Sequence, residues 1–459
     1  MSQMSLPEAV EYALSILGND GGVVVGGNSA SNNLRWANSA LTTNGDAVDQ
    51  TLAISAFVKL KGGIGTGLAS GQVRDRKDIE NLVSSSKSAA TSAGPSVDAM
   101  ELVVGPQHDD FSVEPADLGV EEITHVSGGL RETLAHKEQE FFGYAEQSRD
   151  TTYVGTSAGT RMRYVENTSR FELCAKSLDR KRSAWSGQGG TSLRDVDLSV
   201  HSKEVLTKLE YQKNVIDVEP GRYKVALSAS AVADLMIYFL WSAAARDAAE
   251  GRNAFANPKG GTRVGEKLSS RRISLATDPK LSGMETFDRV VSLGSSALSS
   301  AFDTGIEIPR IQVITDGELT ALGSSRHAAQ TAKLPFTPLT DNIEFSDKDG
   351  HGSLSDLAAR MKDGLLINCL WYIREVDPQN LLLTGLTRDG VYVVRDGQII
   401  GAANNFRFNE SPIDMLSRVT DAGDALACLP REWADWFSRA KVAPVVIDGF
   451  NLSTRSDAV

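Results

Sequence analysis

Residues 223–251 read YKVALSASAVADLMIYFLWSAAARDAAEG, and this stretch decides how the rest of the chain is organised. Its apolar residues recur three, four and seven positions apart, which is the spacing of one face of an α-helix; they are Val232, Leu235, Met236, Phe239, Leu240 and Ala243. Ser228 or Ser230 can cap the start of this helix, and Gly251 can end it. We therefore predict a buried helix over 228–250 at the centre of a large domain. The part from Ser230 to Glu250 would be about 30 Å long.

The middle of this helix lacks the side chains that usually perform catalysis. It contains neither histidine nor cysteine, and its carboxylates are Asp234 near the start and Asp247 and Glu250 at the end. A membrane span over Val225 to Ala245 is the rival interpretation, because Asp234 is the one charged residue in that run. Serines and alanines dilute the run, however, and a buried aspartate is costly inside a bilayer. A buried core helix is therefore the favoured interpretation.

A short motif follows this helix and narrows the comparison with known families. It reads Gly251-Arg252-Asn253-Ala254-Phe255. A helix followed by Gly-x-x-Ala-Phe resembles the zinc-site helix of the TldD/PmbA family, also called TldD/TldE. Catalytic members carry His-Glu-x-x-x-His there. Counted back without gaps, the two histidine positions fall on Met236 and Trp241 and the glutamate position on Ile237. These side chains can neither ligate zinc nor activate a water molecule.

The resemblance therefore implies a TldE (PmbA)-type chain with no cofactor of its own and a zinc-binding TldD-type partner in a heterodimer. Cys428 lies near the place where catalytic members carry a zinc-binding cysteine, but without the two histidines it cannot complete a site. The resemblance continues through residues 364–401 and 444–450, and through Ser325-Arg326-His327-Ala328-Ala329. We predict Tyr238, Trp241, Arg326 and His327 as residues of a substrate channel.

His327 has two interpretations. As a general base it would need a nucleophile or a metal nearby, and the sequence nominates neither. A surface or hydrogen-bonding histidine is the more ordinary role. A stand-alone enzyme with its site around Arg326 and His327 remains an alternative hypothesis.

Composition limits the partners of the chain. It has 459 residues, 41% hydrophobic and 23% charged, with a formal net charge of −12. Such an acidic surface repels polyanions, so nucleic acid is a poor choice as main partner. Three widely spaced cysteines form no disulfide framework, and the first residues lack the basic region of a secretion signal. We expect a cytoplasmic protein without a membrane anchor.

Two glycine motifs suggest other functions. Gly63, Gly65 and Gly67 follow a predicted strand, but their spacing differs from that of a dinucleotide-binding loop, and a glycine-rich turn is the better interpretation. Residues 155–159, GTSAG, match the G-x-S-x-G pattern of serine hydrolases. That pattern requires a helix after the serine, whereas residues 161–165 read as a strand, so we predict Ser157 in a hairpin turn.

The fold class predicted from these elements is α+β. We predict an N-terminal α+β domain over 1–215, rich in strands with packed helices and with a loose break at about 84–118. A C-terminal domain over 216–459 would hold a largely antiparallel sheet around the central helix. Local signals predict a turn at Asn44-Gly45, a linker or loose helix end at 84–96 and a helix over 128–144. Asp389-Gly390 and Asp396-Gly397 are further predicted turns.

The predicted function is that of a non-catalytic TldE-like subunit of a zinc hydrolase that cleaves peptide or amide bonds. In this family the paired chains enclose a groove that holds an extended peptide, which resembles recognition by strand addition. The segments have an actinobacterial character, so an amide hydrolase or N-deacetylase of secondary metabolism, as in antibiotic biosynthesis, is an alternative. A binding protein without a hydrolytic partner is another.

Overall fold

The structure is a computed structural model and describes residues 4–456. Helices and strands are interleaved in an α+β arrangement, which confirms the predicted fold class. The helices are α1 Leu6–Leu17, α2 Arg76–Ala93, α3 Glu121–Leu134, α4 Leu198–Tyr211, α5 Ala229–Ser242, α6 Ala245–Ala249, α7 Arg326–Ala332, α8 Leu354–Met361 and α9 Pro412–Ser417.

The first sheet has six antiparallel strands in the order β3-β2-β1-β4-β5-β6. They are β1 Gly22–Ala37, β2 Ala40–Leu60, β3 Gly63–Gly71, β4 Gln139–Thr156, β5 Arg161–Ser177 and β6 Ser183–Gly190. Alternate residues of β1 point to the helix-covered face: Val24 packs in a cluster with α1 and α2, and Leu34 and Trp36 pack in a cluster with α3 and α4. This two-residue alternation is what a sheet with one covered face requires.

Two further sheets are built from the later strands. One has the order β11-β10-β9-β12-β19-β18; its strands are β9 Ile273–Thr277, β10 Ile311–Thr315, β11 Glu318–Leu319, β12 Ile343–Asp347, β18 Leu426–Cys428 and β19 Ala440–Val442. The other has the order β13-β8-β20-β16-β14-β15-β7, with β17 on β20; its strands are β7 Val215–Ile216, β8 Gly221–Leu227, β13 Gly364–Asp377, β14 Leu382–Arg395, β15 Gln398–Ala403, β16 Asn405–Glu410, β17 Val419–Ala422 and β20 Val445–Ser456. Because β13 also pairs with β14, five of these strands close into a ring.

Strands β1–β6 form the first sheet, and the strands from β7 onwards form the two later sheets. Most strand pairs of the later sheets are antiparallel. The domain limits of 1–215 and 216–459 themselves stay a prediction.

Helix α5 is the centre of the largest hydrophobic cluster, which contains residues of both later sheets. Ser228 caps its start by accepting the backbone N–H of Ala231 at 3.2 Å. The predicted helix over 228–250 is too long, because α5 ends at Ser242 and spans about 21 Å. The backbone of Ala243 and Ala245 instead bonds to Gly323 on both sides, at 2.8 and 2.9 Å. This bridge to another segment interrupts the helix before α6 begins.

No helix within residues 4–456 is long and apolar enough to cross a membrane.

The local predictions in the first sheet need two corrections. The turn between β1 and β2 is at Asn38 and Ser39, which both have positive φ, whereas Asn44-Gly45 lies inside β2 opposite β1. The helix predicted over 128–144 is displaced: α3 ends at Leu134 and β4 then begins at Gln139. The apolar residue Phe141 satisfied the helical spacing, but it belongs to β4 and lies opposite Ala175.

Residues 84–96, predicted as a linker or a loose helix end, form the second half of α2 and its end at Ala93. Its small residues allow α2 to lie directly on β3. A Cβ atom at Gly67 would be 2.2 Å from the backbone N of Ala90, so only glycine fits there. The glycine-rich run after β2 is therefore a turn and a packing surface for a helix, as the turn interpretation predicted.

Two of the remaining turn predictions are confirmed and one is wrong. Ser157 lies in the hairpin between β4 and β5, and its hydroxyl accepts the backbone N–H of Gly22 at 3.0 Å. Asp396-Gly397 joins β14 to β15. Asp389-Gly390 lies inside β14, where the register against β13 shifts, and is a bulge rather than a turn.

Asp234 carries the one carboxyl group inside α5, and it is fully buried. Its Oδ1 accepts the backbone N–H of Glu432 at 3.1 Å, and its carbonyl accepts the indole N–H of Trp433 at 2.9 Å. Its Oδ2 has no hydrogen-bond partner. Burial, assisted by the nearby carboxylate of Glu432, raises the pKa of Asp234 well above its usual range. The side chain therefore ties α5 to the segment after β18 in its neutral form.

The packing of α5 predicts that Met236→Ala is more damaging than Trp241→Ala. Met236 is fully buried, so its truncation leaves a cavity and should lower the free energy of unfolding by about 2–5 kcal/mol. Trp241 is 40% exposed and should lose less. Urea unfolding of both variants, with Trp436→Ala at a 73% exposed tryptophan as control, measures the difference. An equal or larger loss for Trp241→Ala would contradict this packing.

The raised pKa of Asp234 predicts that the stability of the protein depends on pH. Above about pH 4 the unfolded chain has ionised this carboxyl while the folded chain keeps it protonated, so unfolding releases a proton. Stability should therefore fall as pH rises towards the raised pKa, by up to about 1.4 kcal/mol per pH unit. Asp234→Asn removes this contribution, so urea unfolding should show the variant gaining stability relative to the parent between pH 5 and pH 7. A difference that stays constant with pH would show that Asp234 is ionised in the folded protein.

Candidate functional site

The three positions of the degenerate zinc motif lie in different surroundings on α5. Met236 and Ile237 are fully buried in the cluster around α5, whereas Trp241 is at its last turn and partly exposed. Methionine, isoleucine and tryptophan at these positions offer no imidazole or carboxylate, so the residue types do not fit a zinc site.

Within residues 4–456, no group of three or more histidine, cysteine, aspartate or glutamate side chains could hold a metal ion. Cys428 is buried at the end of β18, and burial above all raises the pKa of its thiol. A neutral, buried thiol is a poor metal ligand.

A ladder of aromatic rings runs from the end of α5 to the surface. The ring centroids of Tyr238 and Trp433 are 5.8 Å apart, and those of Trp241 and Trp433 are 5.0 Å apart in an edge-on arrangement. Trp433 continues the ladder to the exposed Trp436 at 6.4 Å. Exposed rings of this size commonly mark a contact surface.

Trp241 also lines a cavity of about 390 Å³, which we call the Trp241 cavity. Its walls come from the end of α5, from the segments 286–299 and 336–341, and from single residues of other elements, namely Glu166, Asp303, Ile308, Ser324 and Phe437. Glu166 lies on β5 of the first sheet, so the cavity is bounded by both halves of the chain. Cavities of this size bind small ligands or single side chains.

Two carboxyl groups of the cavity have perturbed acidity. Burial raises the pKa of Glu166, against the opposing effects of Arg439 and Thr286. Asp341 is exposed to the solvent of the cavity but surrounded by protein, and this crowding raises the pKa of its carboxyl, again against Arg439. Perturbed acids that face a cavity are a common feature of functional sites.

Arg326 borders this cavity through Asp303 and has a structural role. Its Nε donates to Asp303 Oδ1 at 2.7 Å, and its Nη2 donates to the carbonyls of Phe302 and Glu101 at 2.6 and 2.9 Å. These bonds fix the wall of the cavity to the segment before α3. The neighbouring His327 does not line the cavity, and its Nδ1 is buried without a hydrogen-bond partner.

The structure therefore brings Trp241 to the cavity, places Tyr238 behind it in the ring ladder and Arg326 at its edge, and leaves His327 outside. Glu166, Asp341 and Trp433 were missed by the sequence analysis. The spacing of Trp433 and Trp436, three residues apart, could have suggested an aromatic surface. No local pattern marks Glu166 or Asp341.

A second polar cluster lies inside the first half and is no catalytic site. Ser186 Oγ is 2.7 Å from His201 Nδ1 and donates to Glu204, while Lys208 donates to the same carboxylate. The carboxylate thus bonds the serine rather than orienting the histidine, and Ser186 and His201 are both buried. This arrangement lacks both the geometry and the access of a nucleophilic triad.

Comparison with known proteins supports the fold and the family. The family model described as the PmbA/TldA metallopeptidase C-terminal domain matches residues 220–454, more than half of the chain. No curated protein matches the sequence.

Three solved structures are similar in fold. TldE from Thermococcus kodakarensis has a TM-score of 0.76 at 14% identity, with 97% of this chain and 100% of that chain covered. A putative modulator of DNA gyrase from Bacteroides thetaiotaomicron has 0.76 at 12% identity, covering 97% and 98%. One from Thermotoga maritima has 0.72 at 14% identity, covering 97% and 99%. With a matching family model over its second half and the same fold over nearly its whole length, this chain belongs to the TldD/PmbA family.

Proposed function

We propose that this chain is a non-catalytic TldE-type subunit of a heterodimeric zinc hydrolase that cleaves peptide or amide bonds. The observation that carries the proposal is the packing of α5. The positions that hold the zinc ligands and the general base in catalytic members are occupied here by Met236, Ile237 and Trp241, and the first two are part of a closed apolar core. The zinc would belong to a TldD-type partner.

The chemistry of hydrolysis explains why a partner is needed. A catalytic zinc takes about three protein ligands and keeps one position for water, which a nearby carboxylate deprotonates. In this chain the only carboxylate inside α5 is Asp234, which is buried, hydrogen-bonded to the segment after β18 and held in its neutral form. It cannot act as a general base at neutral pH.

The role left to this chain is to bind and orient the substrate. The Trp241 cavity and the exposed end of the ring ladder offer apolar and polar contacts on one continuous surface. An extended chain that is held on such a surface would present its scissile bond to the zinc of the partner, and positioning of this kind contributes strongly to catalysis. The name TldE of the similar Thermococcus kodakarensis structure also supports a TldE-type role.

The proposal predicts the composition of the native complex. Native mass spectrometry of the protein purified from its own host should show this chain bound to one similar-sized chain, with zinc bound to the complex. Dissociation in the mass spectrometer should leave the zinc with the partner. As a control, this chain expressed alone and dialysed against zinc should retain no stoichiometric metal.

A homodimer without zinc, or zinc that remains with this chain after dissociation, would overturn the proposed function. The first result would remove the heterodimer, and the second would require metal ligands outside α5.

A further inference from the structure

Two carboxyl groups of the Trp241 cavity, those of Glu166 and Asp341, are incompletely satisfied within the described residues. Asp341 is exposed and makes no hydrogen bond or ion pair within residues 4–456. Glu166 pairs with Arg439 Nη2 at the long distance of 3.8 Å, and its Oε1 is buried without a hydrogen-bond partner. Asp150 adds a further negative charge near Glu166. A buried acceptor without a donor is costly, so the free Oε1 of Glu166 beside a cavity indicates a missing donor.

The cations at this cavity, Arg289 in its lining and Arg439 beside Glu166, also bond groups outside the cavity. Arg439 Nη2 donates to the carbonyl of Asn167 at 3.0 Å and to Thr168 Oγ1 at 2.8 Å. Arg289 donates to the carbonyl of Gly305 at 3.1 Å and lies 4.0 Å from Glu307. The third carboxylate of the lining, Asp303, is paired with Arg326 at 2.7 Å. The charge that remains available in the cavity is therefore negative.

The rest of the lining suits an alkyl chain. Trp241, Phe287, Phe336 and Phe437 present aromatic faces or edges, with Leu240 and Leu339 beside them. Aromatic rings next to a carboxylate bind a cation through the ring quadrupole as well as through its charge. The volume of about 390 Å³ is sufficient for one long side chain or a ligand of similar size.

We infer that the Trp241 cavity is a binding subsite for a primary ammonium group on an alkyl chain, with Asp341 and Glu166 as its counter-charges. Calling this ligand part of the substrate rests on the proposed function. The ammonium can come from a lysine side chain or from the amino terminus of a peptide. Since three N–H donors satisfy several acceptors at once, a single ammonium can bond both carboxylates.

Acidity supports this assignment. Burial and crowding raise the pKa of both Glu166 and Asp341, against the effect of Arg439. A bound cation would stabilise the ionised carboxylates, so binding should release protons and weaken as the pH is lowered from neutrality.

The inference is tested with short peptides and the full chain, alone or in its native complex. Isothermal titration calorimetry would compare three probes: acetyl-Ala-Lys-Ala-amide, Ala-norleucine-Ala-amide with a free amino terminus, and acetyl-Ala-norleucine-Ala-amide, which carries no ammonium. We expect at least one of the first two to bind about tenfold or more tightly than the third, since a charged hydrogen bond at a partly buried site contributes this much. Which of the two binds identifies the source of the ammonium.

Two variants and a matched control locate the binding. Asp341→Asn and Glu166→Gln keep the shape of each side chain, and each should weaken the binding of the ammonium peptide about tenfold and flatten its pH dependence. Asp448→Asn makes the same change at an exposed aspartate outside the cavity and should leave binding unchanged. Thermal unfolding of each variant checks that the fold is retained.

Equal binding of all three peptides, no binding of any, or binding that survives both cavity variants would overturn the inference. This outcome is independent of the test for a zinc partner. Ammonium binding in a chain that proves to have no zinc partner would overturn the proposed function and leave the ligand class of the cavity standing. If a zinc heterodimer is found but its cavity does not bind the ammonium group, the proposed function stands and the ligand class is overturned.

Discussion

The burial of α5 between two sheets is the constraint on which the rest of the structure depends. Met236, Ile237 and Phe239 are fully buried in the apolar cluster around α5, where a polar side chain needs bonds like those of Asp234. A metal site at this place would need ligands, water and a route for substrate. The helix instead stabilises the fold, and contact with the Trp241 cavity is confined to its last turn.

How far the sequence predicts this fold depends on how local each signal is. The 3.6-residue spacing correctly indicated a buried helix, and residues 161–165 were correctly read as part of a strand. The end of α5 could not be predicted, because it depends on bonds to Gly323, which lies far away in the chain. The predicted position of the β1–β2 turn was wrong for a similar reason. Asn44-Gly45 has the stronger local signal, but the register that buries Leu34 and Trp36 puts the turn at Asn38 and Ser39.

The same distinction applies to the candidate site. Trp241 could be identified from the sequence because it occupies a position of a recognisable motif. Glu166 and Asp341 lie on β5 and in the segment before β12, and nothing in their neighbouring residues distinguishes them from surface acids. Only the packing of the first sheet against the later segments brings them to one cavity. Arg326, predicted from the resemblance as a channel residue, bonds to Asp303 and Phe302 at the edge of this cavity.

Two environments of buried acids in this chain show why a cavity matters. Asp234 is enclosed by the core, and its raised pKa means that the protein removes the charge rather than using it. Glu166 and Asp341 also have raised pKa values, but they face a space that a ligand can enter. In the first case the proton is the permanent partner of the carboxylate. In the second case the proton can be exchanged for a cation, because the aromatic walls exclude much of the water that would otherwise solvate both charges. The carboxyl groups that a ligand could reach are therefore at the cavity, while the carboxyl group inside α5 has become part of the core.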